Sequence, residues 1–479
     1  MKVSVKYFMI LLFFCMVEYT YGQNVNVSHL LLEKDTIGNI TKTIVRGYDK
    51  SAVLYIEQNG KHYFTSMSYS KPDTGHNFNL VNLKKLEIDP SYNVNDFKIV
   101  GKDYVYFCGE HIQNNDSYGF IGFFELQELL QGNMNAEIKI QDNFVQNIVS
   151  NHLVRVANLT KMEVFFESNQ FHLVAIGNTS NSVSCVFEMI TDVVGDINGT
   201  WQFGMTNCTS EKMNDIAVTD KYVVTVGTCY SQSYSTIRRY LKQSIFSGTI
   251  DYNVAYLYPP NESVSATEYL ADDMDNILIT PIQGDTIAIA SYWYNSANQT
   301  PHLNGVLIRI YDMSSAPAPL MLASMSINQS YYNGKWELKE FMYDTIFQTF
   351  ALLQNMEESQ SPNSLVNSFS VIDLINMSIE TVSYPGMEFT SFDRCFVFDY
   401  NILLGYDINK RSKLLFAVDK MNDFDICHGN HLNLSINFKS IYTHKFIDKG
   451  FSIYWGNLSF YNEYFIDFMS QYMDVICRI

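Results

Sequence analysis

The sequence predicts an all-β fold: a single β-propeller of four-stranded blades, with seven blades expected and six or eight as the alternatives. Three observations lead there. A hairpin pattern recurs along the chain, its apolar runs have the length and residue types of strands, and turn-forming residues sit between them. The pattern is clearest in Asp96–Gly109 (DFKIVGKDYVYFCG), an apolar half-strand, a short polar turn and a second apolar run stopped by glycine. It returns as DIAVTDKYVVTVG at Asp215–Gly227 and as HKFIDKGFSIYWG at His444–Gly456.

Eight segments fit the scheme of an inner hairpin followed by a third strand. Their hairpins are Ile44–Ile56, Asp96–Gly109, Val164–Gly177, Asp215–Gly227, Ile279–Ser291, Met342–Leu353, Phe392–Gly405 and His444–Gly456. The steps between them are too uneven for a strict solenoid and suit blades with variable loops. Runs such as YVVTV, TIAIA and NILLG are β-branched, aliphatic or aromatic, and shorter than a helix needs. They are apolar almost without alternation, which implies burial on both faces, as where sheets stack on one another. So many hairpins in one series exceed a two-sheet sandwich. The first and last units are the least regular, so closure by strands from the two chain ends is expected, giving seven blades from eight units.

Asn-Gly pairs at Asn59-Gly60, Asn198-Gly199 and Asn333-Gly334 invite tight turns with positive φ. The last two continue as GTWQF and GKWEL, which places Trp201 and Trp336 at equivalent positions with a packing role. Gln127–Met134 (QELLQGNM) is a candidate for one or two helical turns on a connection.

The chain opens as a secretory leader. Lys2 and Lys6 precede the apolar run Tyr7–Val17, and the small residue Gly22 offers cleavage before Gln23. The expected organisation is therefore a signal peptide at 1–22 and a propeller domain at 23–479. A bilayer span takes about 20 apolar residues, which no segment approaches, so no transmembrane segment is expected. Lipidation at Cys15 is the anchored alternative, disfavoured because Phe13 and Phe14 stand where small residues are needed. The expected location is outside the cytoplasm: periplasmic, cell-surface or extracellular.

Fifty acidic residues against 32 Lys and Arg give a net charge of −18, which argues against nucleic-acid partners. Of eight cysteines, Cys15 lies in the leader. The others are odd in number, so at least one thiol is unpaired or pairs between chains. Cys108 and Cys395 sit in apolar runs as small buried hydrophobes; Cys208 with Cys229, or Cys427 with Cys477, are possible bridges.

The segments NDFKIVGKDYVYFCG, GFIGFFEL, DIAVTDKYVVTVG and GKWELKEF, between Asn95 and Phe341, resemble a group of secreted, propeller-like proteins of unknown function from gut bacteria of the Bacteroidota. The resemblance covers roughly half of the chain. It implies fold and export and brings no catalytic residues with it. Trp-Asp repeats, paired-glycine kelch blades and a sialidase-type Asp box are missing, and DINGTW at Asp196–Trp201 reads as a hairpin turn.

Propellers bind with loops, so candidate ligand residues are sought there. Tyr292, Trp293 and Tyr294 lead into a loop containing His302, and aromatic faces beside hydrogen-bonding groups could stack a sugar. Packing is the competing role for these rings. Asp425, Cys427, His428 and His431 hold metal-type donors within one short stretch, but no second cluster completes a zinc set, so a turn with incidental histidines is preferred. Asp272, Asp273 and Asp275 depart from a calcium loop and read as a solvated acidic turn. No nucleophile elbow, P-loop or dinucleotide fingerprint is present, and no cofactor is expected. The expected function is that of an exported, non-catalytic protein that engages a protein or carbohydrate through one propeller face. The alternatives are a polysaccharide hydrolase or lyase with acidic residues at the channel mouth, and a structural component of a surface assembly.

Overall fold

A strand covered on both sides has no polar face, and this is what the apolar runs become. In the computed structural model every residue of Val105–Gly109 is buried without alternation. The structure describes residues between 27 and 439, apart from short connections and 32–38, 71–78, 246–254, 258–271, 295–303, 329–335, 358–364 and 419–429; 1–26 and 440–479 also lie outside the described residues. The eighth unit, His444–Gly456, falls there.

Seven antiparallel sheets are formed among the described residues. Their innermost strands are Asn39–Arg46 (blade 1), Tyr92–Val100 (blade 2), His152–Glu167 (blade 3), Glu211–Val218 (blade 4), Asp272–Pro281 (blade 5), Trp336–Asp344 (blade 6) and Met387–Cys395 (blade 7). Each lies beside the next, and those of blades 6 and 1 flank that of blade 7, closing the ring. This is a seven-bladed propeller. Four sheets have four strands; blade 3 gains Val145–Val149, and blades 5 and 6 gain Ser435–Lys439 and Asn430–His431 on their outer edges.

The core lies in the seams between blades. Phe64 of blade 1 meets Phe97, Phe107 and Phe124 of blade 2 with ring centroids 5.0–5.3 Å apart. Tyr106, Cys108 and Phe123 of blade 2 pack with Val156, Phe171 and Phe187 of blade 3. Tyr104, Tyr106 and Phe107 of the repeated hairpin are therefore seam residues, each buried Phe contributing about 2–3 kcal/mol. The helix is Leu126–Gln131, which buries Leu126 and Leu129 and ends at Gly132 with φ 74°.

Blade 7 takes its outer strand from the N-terminal side of the chain. Val27–Leu31 pairs antiparallel with Ser412–Val418, with Val27 opposite Ala417 and Leu31 opposite Lys413. Deleting the chain through Leu31 leaves Ser412–Val418 with an open edge. The expected result is a lower melting temperature and concentration-dependent aggregation, read by calorimetry and light scattering. An unchanged melting curve would contradict closure by this strand.

Two sequence expectations are corrected. Trp201 lies on the outer strand Thr200–Met205 of blade 3, whereas Trp336 begins the inner strand of blade 6, so they are not equivalent. An Asn-Gly turn can precede any strand, and its flanking Trp does not fix the register. Asp272 and Asp273 are not in a turn: they extend the inner strand of blade 5, opposite Trp293 and Tyr292.

Candidate functional site

The inner strands carry a bulge at one repeated place. The pairing slips between Ile40 and Lys42, Val94 and Asp96, Leu159 and Lys161, Met213 and Asp215, Leu338 and Glu340, and Phe389 and Ser391. Gly109, Gly177, Gly227 and Gly405 stand opposite the residue before the slip in blades 2, 3, 4 and 7. A side chain at Gly109 or Gly177 would collide with the carbonyl oxygen of Asn93 or Asn158, and at Gly227 with that of Lys212. This explains why so many of the hairpins stop at glycine. The bulge brings the inner strand too close for a Cβ.

A bulge also re-aims the next side chain. Lys42, Asp96, Lys161, Asp215 and Glu340 occupy the post-bulge position in blades 1, 2, 3, 4 and 6. Lys98 and Glu163 stand two residues further along, in blades 2 and 3. These charges act on one another across blades: Glu340 of blade 6 is felt by Lys42, Lys98, Lys161 and Asp215. Only the common axis brings five blades that close, so the charges line the central channel.

Most of them are already engaged. The Lys42 ammonium pairs with Asp96 Oδ1. Asp96 also accepts from its neighbour Phe97 N (2.9 Å) and, across the seam, from Met162 N of blade 3 (2.8 Å). Asp215 repeats this latch two seams further round, accepting from Ile216 N and from Ile279 N of blade 5, both at 3.0 Å. Lys98 Nζ and Glu163 Oε1 are 2.6 Å apart. Thr280 Oγ1 accepts from Tyr343 N of blade 6 at 3.2 Å. The channel wall is thus a set of inter-blade clasps.

Enclosure shifts the protonation equilibria. Burial, helped by the ammonium groups of Lys98 and Lys161, pulls Lys42 down to about 7, against the pull of the Glu340 and Glu163 carboxylates. Burial opposes the charge of Lys98 too, but Glu163, with Asp215 and Glu340 behind it, holds that ammonium above the usual lysine value. For Lys161, Glu340 and Asp215 outweigh burial in the same way. Burial raises the Asp215 carboxyl above the ordinary range, Glu340 adds to this, and Lys161 and the two backbone bonds work against it.

Cys108 lies behind the clasps, where burial pushes its thiol up to about 12 despite the three lysines; burial does the same to Cys185. Both are free and fully buried. Their thiolates are accordingly suppressed, and neither is expected to react with iodoacetamide in the native protein. Peptide mapping after native and denaturing alkylation checks this. A raised thiol leaves stability intact below the unfolded value near 9 and withdraws it as pH rises toward 12, at about 1.4 kcal/mol per pH unit and thiol. Lys42 acts oppositely, adding stability between about 7 and its unfolded value. The urea midpoint is expected to fall steeply only above pH 9.

The residues singled out from the sequence lie elsewhere. Tyr292, Trp293 and Tyr294 end the second strand of blade 5 (Thr286–Tyr294), with Trp293 opposite Gly305 and Tyr294 opposite Asn304. His302 lies outside the described residues. So do Asp425, Cys427 and His428, while His431 pairs with Val382 on the outer edge of blade 6. Among the described residues no group of His, Cys, Asp and Glu could hold a metal, and no helix is long and apolar enough to cross a membrane. Sequence reasoning missed the channel charges. Their signal was a polar pair ahead of each apolar run, as in Asn95-Asp96, Thr160-Lys161 and Asn214-Asp215.

No protein-family model matches the sequence, and no curated protein is significantly similar to it. Solved structures are similar to the chain at low identity. The periplasmic gluconolactonase of Pseudomonas aeruginosa gives a TM-score of 0.46 at 9% identity over 87% of this chain and 100% of that one. An α-L-arabinanase of Penicillium chrysogenum complexed with arabinobiose gives 0.39 at 12% identity, over 74% and 99%. A prolyl endopeptidase gives 0.41 at 10% identity over 79% of this chain, which spans only 46% of that protein. The WD40 domain of SCAP from fission yeast gives 0.38 at 8% identity, over 82% and 96%. These neighbours include enzymes and a WD40 domain alike, and the activities in their names belong to them.

Proposed function

We propose that the protein is an exported, non-catalytic binding protein that engages a protein or a glycan through loops on one face of the propeller. The supporting observation is the state of the channel carboxylates. Glycoside hydrolysis needs two carboxyl groups free to approach the scissile bond. Of the four described in the channel, Asp96, Glu163 and Asp215 are bonded to lysines or backbone amides, leaving Glu340. The channel is built as a clasp.

Loop lengths favour one side of the ring. Between second and third strands, blades 1 and 2 turn tightly, with Gln58 paired to Lys61 and Gln113 to Asp116. The adjacent blades 5 and 6 instead carry 295–303 and 358–364 at that end. Tyr292, Trp293 and Tyr294 feed the first of these connections, with His302 within it.

The test is a glycan array and a pull-down with the chain from Gln23 onward. Specific capture, weakened by Trp293→Ala or by a Tyr292→Ala/Tyr294→Ala pair, is the expected result. Specific turnover of a polysaccharide, lost in Glu340→Gln, would overturn it in favour of the hydrolase reading, which the unbonded Glu340 supports. Export is tested by N-terminal sequencing of protein recovered outside the cytoplasm, which should begin at Gln23.

A further inference from the structure

Two opposite charges in the channel stand apart from the clasps. Lys161 of blade 3 and Glu340 of blade 6 occupy the same post-bulge position on different sides of the ring. Each influences the other, yet among the described residues neither makes a hydrogen bond or an ion pair. Lys42 is held by Asp96, Lys98 by Glu163 and Asp215 by two backbone amides, Asp215 also acting on Lys161 from blade 4. An enclosed ammonium without a protein partner forgoes hydration that nothing in the wall replaces, and the Glu340 carboxylate beside the same axis is likewise unbonded.

We propose that the channel is a binding site for a small zwitterion, its carboxylate taken by Lys161 and its ammonium by Glu340. One cation and one anion without a protein partner, set at the same register on inner strands three blades apart around the axis, match a ligand that carries one of each. A simple anion would satisfy Lys161 and repel Glu340; a simple cation would do the reverse. Charge-assisted hydrogen bonds at both ends, in a channel of lowered dielectric, favour the zwitterion over either half. No bond is made or broken, and no cofactor is needed. The site is separate from the face loops, so glycan or protein capture can succeed with the channel empty, and channel binding can succeed without a loop ligand.

The experiment is calorimetric titration of the full mature chain, at low salt to limit screening, with glycine, β-alanine, γ-aminobutyrate and 5-aminovalerate. Acetate and propylammonium serve as the two halves, and glucose as a neutral polar control. The expected result is binding of at least one zwitterion, strongest at the chain length that spans the gap and at least tenfold tighter than either half. Lys161→Gln and Glu340→Gln should each weaken it at least tenfold, and the reversed pair Lys161→Glu/Glu340→Lys should recover part of the loss. Circular dichroism reports whether the variants fold. If they do not, the wild-type comparison of zwitterion with halves decides alone. Absence of zwitterion binding at about 10 mM, equal binding of a half-ligand or glucose, or binding indifferent to both folded single variants would overturn the proposal.

Discussion

Below pH 7, where Lys42 is charged, Asp96→Ala is expected to destabilise the protein by about 3–5 kcal/mol, because it strips a counter-ion from an enclosed ammonium. The Asp96 side chain is 1% exposed, and one carboxylate serves three donors: Lys42 Nζ, Phe97 N and Met162 N. Truncation therefore unpairs Lys42 and removes a hydrogen bond across the seam between blades 2 and 3. The effect should separate by double-mutant cycle. Adding Lys42→Met to Asp96→Ala removes the stranded charge and should recover part of the loss, leaving roughly the value of the backbone acceptors, about 1–3 kcal/mol. Chemical denaturation of the four proteins provides the numbers. Strict additivity of the two substitutions would mean that the pair is not coupled.

Gly109→Ala is the second large effect, with about 3 kcal/mol or more of destabilisation expected from overpacking against backbone. The new Cβ meets the carbonyl of Asn93 and the Phe120 ring, the latter at 2.9 Å. The carbonyl belongs to the paired strand and cannot rotate away without opening the bulge. Gly177→Ala presses on Asn158 in the same manner one blade on, and should cost a similar amount. Gly101→Ala is the informative contrast. That residue has φ 61° and open space around it, so its cost should be limited to the left-handed backbone, about 1–2 kcal/mol. Equal effects at Gly101 and Gly109 would contradict the close-approach account.

The hairpin Asp96–Gly109 shows how far local pattern reaches. Its strands, its turn and its place in a repeated unit were all readable, because strand-like runs and turn residues act within a few positions of one another. Both of its ends carried meaning that was not readable. Gly109 looked like the stop of an apolar run and proved to be the residue facing a bulge. Asp96 looked like the polar edge of a strand and proved to be a channel clasp.

The aromatic cluster at Tyr292–Tyr294 illustrates the opposite case. It drew attention because aromatic and amide side chains are locally dense, which marks a candidate contact surface. The channel charges were overlooked because each blade contributes only one or two, and one lysine or aspartate reads the same whether it faces bulk water or the axis. Trp201 and Trp336 differ for a related reason: a shared turn motif does not carry a shared register.

Composition and short-range periodicity were enough for an all-β chain and for its repeated hairpins. Local backbone preferences and the burial of apolar runs act over a few residues, so they are written contiguously. The identity of the channel wall depended on contacts between distant parts of the chain. Asp96 meets Met162 N across 66 residues, and Asp215 meets Ile279 N across 64. Such pairings exist only after seven sheets have closed on a common axis, where charges spread along the chain come within reach of one another.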